Sequence, residues 1–194
     1  MDRLAAAIEA IDAANADDPH TIVVDGTVRT KEQAHAEMMT EWVRRLDPGC
    51  TDEQLIAARA HHLRRWTVPR GSYPEGRSGY LRWRTALKKQ HAEEVGAIMR
   101  AAGYGDESIE RVGQIVRKQG LGHDPAVQTH EDALCLVFLS TQFDELAGRL
   151  GDDKTIDVLR KTAAKMSPAG LRVAQELDLS PEAGSLLTRA LGTA

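Results

Sequence analysis

Seven consecutive residues, Ala133-Leu-Cys-Leu-Val-Phe-Leu139, are apolar, and no glycine or proline interrupts the chain on either side of them from 126 to 147. Asp132, Leu136, Leu139, Phe143 and Leu146 recur there at helical spacing, so the spacing predicts a helix over 131–150. A helix that is apolar on most of its sides has no face to offer water and must be covered all round by other elements. The rest of the chain therefore has to supply amphipathic segments that wrap it.

Those segments can be read from their periodicity and their stop signals. Leu4, Ile8 and Ile11 place a helix over 2–15. Thr30-Lys-Glu-Gln33 and Thr51-Asp-Glu-Gln54 both have capping-box form, opening helices over 31–46 and 52–66. Two prolines and two glycines put a loop over 67–78, followed by a long helix over 79–102 that Gly103 and Gly105 end. A further helix over 107–119 stops at Gly120. Three shorter helices from 152 onward include two that begin Ser-Pro, at 167–168 and 180–181, a serine cap with proline in the first turn. The strand signal is confined to Thr21–Arg29, where two β-branched runs flank Asp25-Gly26 as in a tight hairpin. The expected fold is mainly α, a single-domain helical bundle over 1–194 with one small hairpin at 21–29.

Charge and cysteine content narrow the function classes. A net charge of -4 with a pI near 6.0 argues against a general nucleic-acid coat, so no DNA partner is expected. Cys135 reads as buried core and Cys50 as a loop residue, with no disulfide framework. The N-terminal segment carries acids at 2, 9 and 12 and lacks a signal-peptide apolar region. No apolar stretch approaches the ~20 residues that span a membrane. A cytoplasmic protein without a membrane partner is expected.

Polar residues on apolar stripes point to chemistry. His35 aligns with Met39, Trp42 and Leu46, and His62 with Leu55, Arg59 and Trp66, which turns His61 about 100° aside. His91 aligns with Tyr80, Arg84, Leu87, Val95 and Ile98, while Asp132 heads the central stripe with Glu131 beside it. Buried charge is costly unless paired or coordinated, and imidazole with carboxylate is a ligand set for zinc, iron or manganese. The same residues also have a structural reading. A single inward histidine is commonly a hydrogen-bonded core residue, and acids at a helix N-terminus interact favourably with its dipole.

Between residues 59 and 84 lie seven arginines and one acid, Glu75, with Trp66, Tyr73, Tyr80 and Trp83 interleaved. Guanidinium forks match phosphate or carboxylate oxygens, and neighbouring aromatics can stack on a ring. This predicts an anionic small-molecule or nucleotide ligand held by Arg65, Arg70, Arg77 and Arg84. The loop carrying Tyr73 and Pro74 would act as a lid. RNA is a second partner consistent with the pattern.

The stretch His62-Leu-Arg-Arg-Trp66-Thr-Val-Pro69-Arg70, with Tyr73-Pro74 and Arg77-Ser-Gly79-Tyr80-Leu-Arg-Trp83-Arg84, resembles an uncharacterised family, domain of unknown function 4202. His91-Ala, Gly103-Tyr104, Lys118, Gln128, Glu131-Asp132, Cys135–Leu139 and Met166-Ser-Pro168 also fit that family's pattern, as does Glu37. Some members carry a glutamyl-tRNA synthetase label, but this chain has no nucleotide-binding glycine fingerprint and no Rossmann-like alternation. More distantly, the order His35, His61-His62, His91, Asp132 is similar to that of HD-superfamily helical metal enzymes. In those proteins a His-Asp doublet helps hold the metal, and here His62 stands where the doublet's aspartate would be. That resemblance implies an HD-like core over 30–150 followed by C-terminal helices over 152–194.

Together these readings give an expected HD-like metal-dependent phosphohydrolase or phosphodiesterase. His35, His62, His91 and Asp132 would hold a divalent ion (zinc, manganese, magnesium or iron). Glu131 or Glu37 would be general base or support, and Lys118 would neutralise developing charge. Arg65, Trp66, Arg70, Tyr73, Arg77, Tyr80, Trp83 and Arg84 would bind substrate. Two alternatives stay open: a non-haem iron oxygenase on the same ligands, and a metal-free module binding an anion or RNA.

Overall fold

The structure is a computed structural model that describes residues 2–24 and 26–192, with Asp144 described through its backbone alone. Asp25, the first residue of the expected hairpin turn, lies outside the described residues. The chain is mainly helical, with one two-stranded antiparallel sheet near its N-terminus. It packs as two compact units, Met1–Gly120 and Leu121–Ala194.

The first unit opens with α1 (Arg3–Asn15), capped by the Asp2 carboxylate, which accepts from the Leu4 amide. The hairpin follows as β1 (Thr21–Val24) and β2 (Thr27–Thr30), paired in the register Thr21↔Thr30 to Val24↔Thr27. Gly26 has φ +75°, the left-handed backbone that such a turn needs. α2 (Lys31–Leu46) then matches its expected span. Its cap differs from the sequence expectation. The Thr30 hydroxyl points to Gln33 Oε1, and the buried Asp18 carboxylate accepts from the Glu32 amide at 2.9 Å instead. The hairpin folds the helix start back against the loop after α1, so a distant aspartate reaches it first.

α3 (Asp52–Arg59) has the expected capping box at Thr51 and Gln54, but it ends at Arg59 rather than Trp66. Arg64 takes a left-handed conformation, φ +50°, and its amide donates to Oδ1 of the fully buried Asn15 at the end of α1. That anchor turns the chain; a short 3-10 turn at Arg65–Thr67 replaces the last expected helical turn, and another at Arg70–Ser72 lies within the expected loop. α4 (Gly76–Ala101) begins three residues before the expected 79, and α5 (Asp106–Arg117) ends on a left-handed Lys118 rather than at Gly120. α1 packs on α3 and α4, α2 on α3, and α5 on both α3 and α4. Ile11, Met39, Ile56, Leu63, Met99 and Ile115 are fully buried between them.

The second unit is built round α6 (Pro125–Thr141), which Asp124 caps with Pro125 in the first turn. The expected helix over 131–150 therefore starts six residues earlier and is divided at Gln142, beyond which lies α7 (Phe143–Leu150). The division has a local cause: the Ser140 and Thr141 hydroxyls bond back to the carbonyls of Leu136 and Val137, which bends a helix. α8 (Asp152–Ala163), α9 (Pro168–Gln175) and α10 (Pro181–Leu191) follow, the last two capped by Ser167 and Ser180 as the Ser-Pro pairs predict. α6 packs on α7 and α9, and α8 on α7 and α10. Cys50 is half-buried and Cys135 buried, and no disulfide joins them. Among the described residues no helix is long and apolar enough to cross a membrane.

Candidate functional site

Three histidines of the first unit gather round a fourth, His62. Its ring centroid lies 4.0 Å from that of His61, 6.2 Å from His91 and 6.3 Å from His35. α2 supplies His35, α4 supplies His91, and the turns after α3 supply the His61-His62 pair. Because α3 stops at Arg59, the helical phase that turned His61 aside does not extend to it, and His61 is buried as well.

Glu32 joins this cluster, a buried carboxylate absent from the set chosen by sequence. Its Oε2 lies 2.9 Å from His62 Nδ1 and 3.7 Å from His35 Nδ1. One donor atom each from Glu32, His35 and His62 falls within 4.8 Å of the others, a spacing that can hold a metal ion. The sequence did carry the signal, since Glu32 and His35 stand three apart and share a helix face. The capping-box reading of Thr30-Lys-Glu-Gln33 absorbed it.

Arg65 closes the other side. Its Nη1 lies 2.9 Å from His62 Nε2, and its Cζ stands 5.1 Å from the centre of the Trp83 ring. The same Nη1 lies 3.3 Å from Nδ1, but arginine only donates and the carboxylate beside Nδ1 accepts, so the tautomer that satisfies both contacts leaves Nε2 as the acceptor. Nδ1 then carries the proton and donates to Glu32. Burial, first, and then the charges of Arg65, His91, His35 and Lys118 hold His62 well below the usual histidine range. Burial likewise pushes His91 down to about 4. Hydrogen bonding to the Leu63 backbone raises it in part, although by distance and angle neither His91 nitrogen completes a hydrogen bond. His35 Nε2 is also buried without one. His62 and His91, held neutral by burial, and the unpartnered Nε2 of His35 lie about the Glu32 carboxylate; imidazole with carboxylate is a ligand set for a divalent ion, so the residues present fit a metal.

The other candidates divide by what they touch. Arg70 donates to the carbonyls of Tyr73 (2.9 Å), Pro74 (3.0 Å) and Gly76 (3.5 Å), so it fastens its own loop. Trp83 is buried and its indole donates to the Val68 carbonyl at 2.8 Å. Tyr80 is exposed, although its stripe predicted burial, and Arg84 lies beside it with Nη1 3.4 Å from the phenol oxygen. Arg77 is exposed in the first turn of α4, and Trp66 and Tyr73 are half-buried. The Glu37 carboxylate is engaged by Arg29 at 2.6 Å and by Arg59 at 3.6 Å. Lys118 terminates α5.

Glu131 and Asp132 belong to the second unit, where both are buried. The Asp132 carboxylate accepts from the Ser167 amide (2.8 Å), the Ser167 hydroxyl and the Gln128 side-chain amide (3.0 Å). Ser167 in turn accepts from the Gly170 amide. Asp132 thus supports the cap of α9. Gly170 has no room for a side chain, since a Cβ there would lie 2.7 Å from the Asp132 carboxyl carbon.

Fold and site define a mainly helical protein with a buried histidine–carboxylate cluster flanked by arginine. The chain belongs to the family described as Domain of unknown function (DUF4202), which matches residues 5–187. No curated protein and no solved structure matches the chain.

Proposed function

We propose that the chain is a metal-dependent phosphohydrolase or phosphodiesterase, HD-like in arrangement, that acts on a small phosphorylated or nucleotide-like substrate. Glu32, His35 and His62 are the holding set in this reading, with His91 as the further nitrogen donor. One observation supports it: a histidine–carboxylate set that could hold a cation and the guanidinium of Arg65, a group suited to anions, meet on the same imidazole, that of His62. Phosphoryl hydrolysis asks for that pairing, because negative charge spreads over the phosphoryl oxygens at the transition state. A divalent ion held there supplies Lewis acidity toward a phosphoryl oxygen and toward water. The chain's own contribution is to keep His62 and His91 neutral by burial and to hold Arg65 in place between His62 and Trp83.

A second reading has its own support. Two histidines and one carboxylate are also the donor set of non-haem iron oxygenases. The test is elemental mass spectrometry of protein purified without an affinity tag, for wild type, Glu32→Gln and His62→Ala. It is followed by hydrolysis of p-nitrophenyl phosphate and bis-p-nitrophenyl phosphate. Near-stoichiometric zinc, manganese or magnesium in wild type, lost in both variants together with hydrolysis, is the expected result. Iron with dioxygen consumption would transfer the assignment to the oxygenase. No metal after reconstitution, and no turnover, would overturn both and leave an anion-binding module.

A further inference from the structure

We propose that Tyr80 and Arg84 form an outer subsite for the base of a nucleoside monophosphate whose phosphate is held at Arg65. The proposal rests on the reading of Arg65 as the anion clamp given above. Arg65 uses one nitrogen on His62 and lies over Trp83, which leaves other donors of its five N–H groups to face an incoming anion. Trp83 is itself fixed, buried and hydrogen-bonded to the Val68 carbonyl, so the guanidinium rests on a rigid floor.

The next ring outward is Tyr80, with its centroid 5.9 Å from that of Trp83 and the planes tilted by 45°. Tyr80 is 41% exposed, whereas Trp83 beside it is 8% exposed. Arg84 stands with its Cζ 5.9 Å from the Tyr80 ring centre and its Nη1 3.4 Å from the phenol oxygen. An exposed aromatic ring with a guanidinium beside it is a stacking platform for a flat heterocycle. The steps of 5.1 Å from Arg65 to Trp83 and 5.9 Å from Trp83 to Tyr80 lead from the clamp to that platform. A nucleotide orders phosphate, sugar and base in the same way. One clamp and one exposed ring fit a single nucleotide rather than a strand, and a net charge of -4 does not favour a polyanion.

Calorimetric titration with AMP and with ribose 5-phosphate tests this, on the protein as purified and again after EDTA treatment. Wild type is expected to bind AMP about tenfold more tightly than ribose 5-phosphate, the size of effect that one stacked base gives. Tyr80→Ala should bring AMP down to the affinity of ribose 5-phosphate, Tyr80→Phe should keep the preference, and Arg65→Ala should weaken both ligands alike. Equal binding of the two ligands by wild type overturns the proposal. So does a preference for AMP that survives Tyr80→Ala, or no binding of either ligand. A base preference without metal or hydrolysis would keep the subsite and remove the hydrolase. Metal and hydrolysis without a base preference would do the reverse.

Discussion

Nη1 of Arg65 lies 2.9 Å from Nε2 of His62, and this contact together with that of Glu32 on Nδ1 favours one tautomer of the ring. A cation that takes the Nδ1 lone pair moves the ring proton to Nε2, where it meets an arginine N–H instead of a lone pair. Metal binding and the Arg65 contact therefore oppose each other, and the positive charge of Arg65 adds to the opposition. A hydrogen bond from a charged donor is worth roughly 1.5–3 kcal/mol. Arg65→Ala is thus expected to bind zinc or manganese about tenfold more tightly than wild type. Competition with a chromophoric chelator measures it. Equal affinities would show that the ion does not use His62 Nδ1.

His91 makes stability depend on pH. Its folded-state pKa is about 4, below the ordinary value of 6.5, because burial disfavours the imidazolium. The unfolded chain binds this proton first as the pH falls, so the stabilisation is fully present above about 6.5 and is lost toward 4. The shift corresponds to on the order of 3 kcal/mol. His62, depressed for the same first reason, acts in the same direction. Urea unfolding of wild type at pH 7, 5.5 and 4 should show the decline, and His91→Leu should flatten part of it. A His91→Leu profile parallel to that of wild type would mean that the ring titrates normally in the fold.

Much of this architecture was legible because helices announce their ends. Thr51 and Gln54 form the box that their sequence spells, and Ser167-Pro168 and Ser180-Pro181 open helices where they should. The departures come from residues far apart in sequence. Asp18 displaces Thr30 as a cap, and Asn15 holds the left-handed Arg64 that ends the run from α3. Periodicity carries no information about such partners. The same limit governs the site. His35, His62 and His91 were found by phase, although α3 does not extend far enough for the His62 argument to hold as made. Periodicity does not single out Glu32, because a glutamate in a first helical turn already has a reason to be there.

Asp132 and Ser167 should behave as a coupled pair. The carboxylate accepts from both the Ser167 amide and its hydroxyl, and Ser167 caps α9. Loss of the cap in Ser167→Ala should cost about 1 kcal/mol. Asp132→Asn, which replaces an acceptor oxygen with a donor nitrogen in a buried position, should cost roughly 1–3 kcal/mol. The double variant should be less destabilised than the sum, by at least 0.5 kcal/mol, as for residues in one network. Denaturant unfolding of the four proteins in the cycle measures the coupling. Strict additivity would separate the two residues and return Asp132 to consideration as a free carboxylate.

Gly79 sits where the loop before α4 lies against that helix. A Cβ there would fall 1.8 Å from the Pro74 carbonyl oxygen, a backbone atom that cannot rotate away. Arg70 holds the same carbonyl, together with that of Tyr73, so the loop can retreat only by giving up those bonds. Helix propensity alone would reward alanine at this position by about 1 kcal/mol. The clash should outweigh that gain, and Gly79→Ala is expected to lose roughly 1–3 kcal/mol net. One turn further along α4 lies Trp83, the floor beneath Arg65, so the displaced loop should also change the tryptophan emission. Urea unfolding followed by fluorescence reads both effects. A variant as stable as wild type, with the same emission, would show that the loop shifts freely and that the close approach at Gly79 does not help to position Arg65.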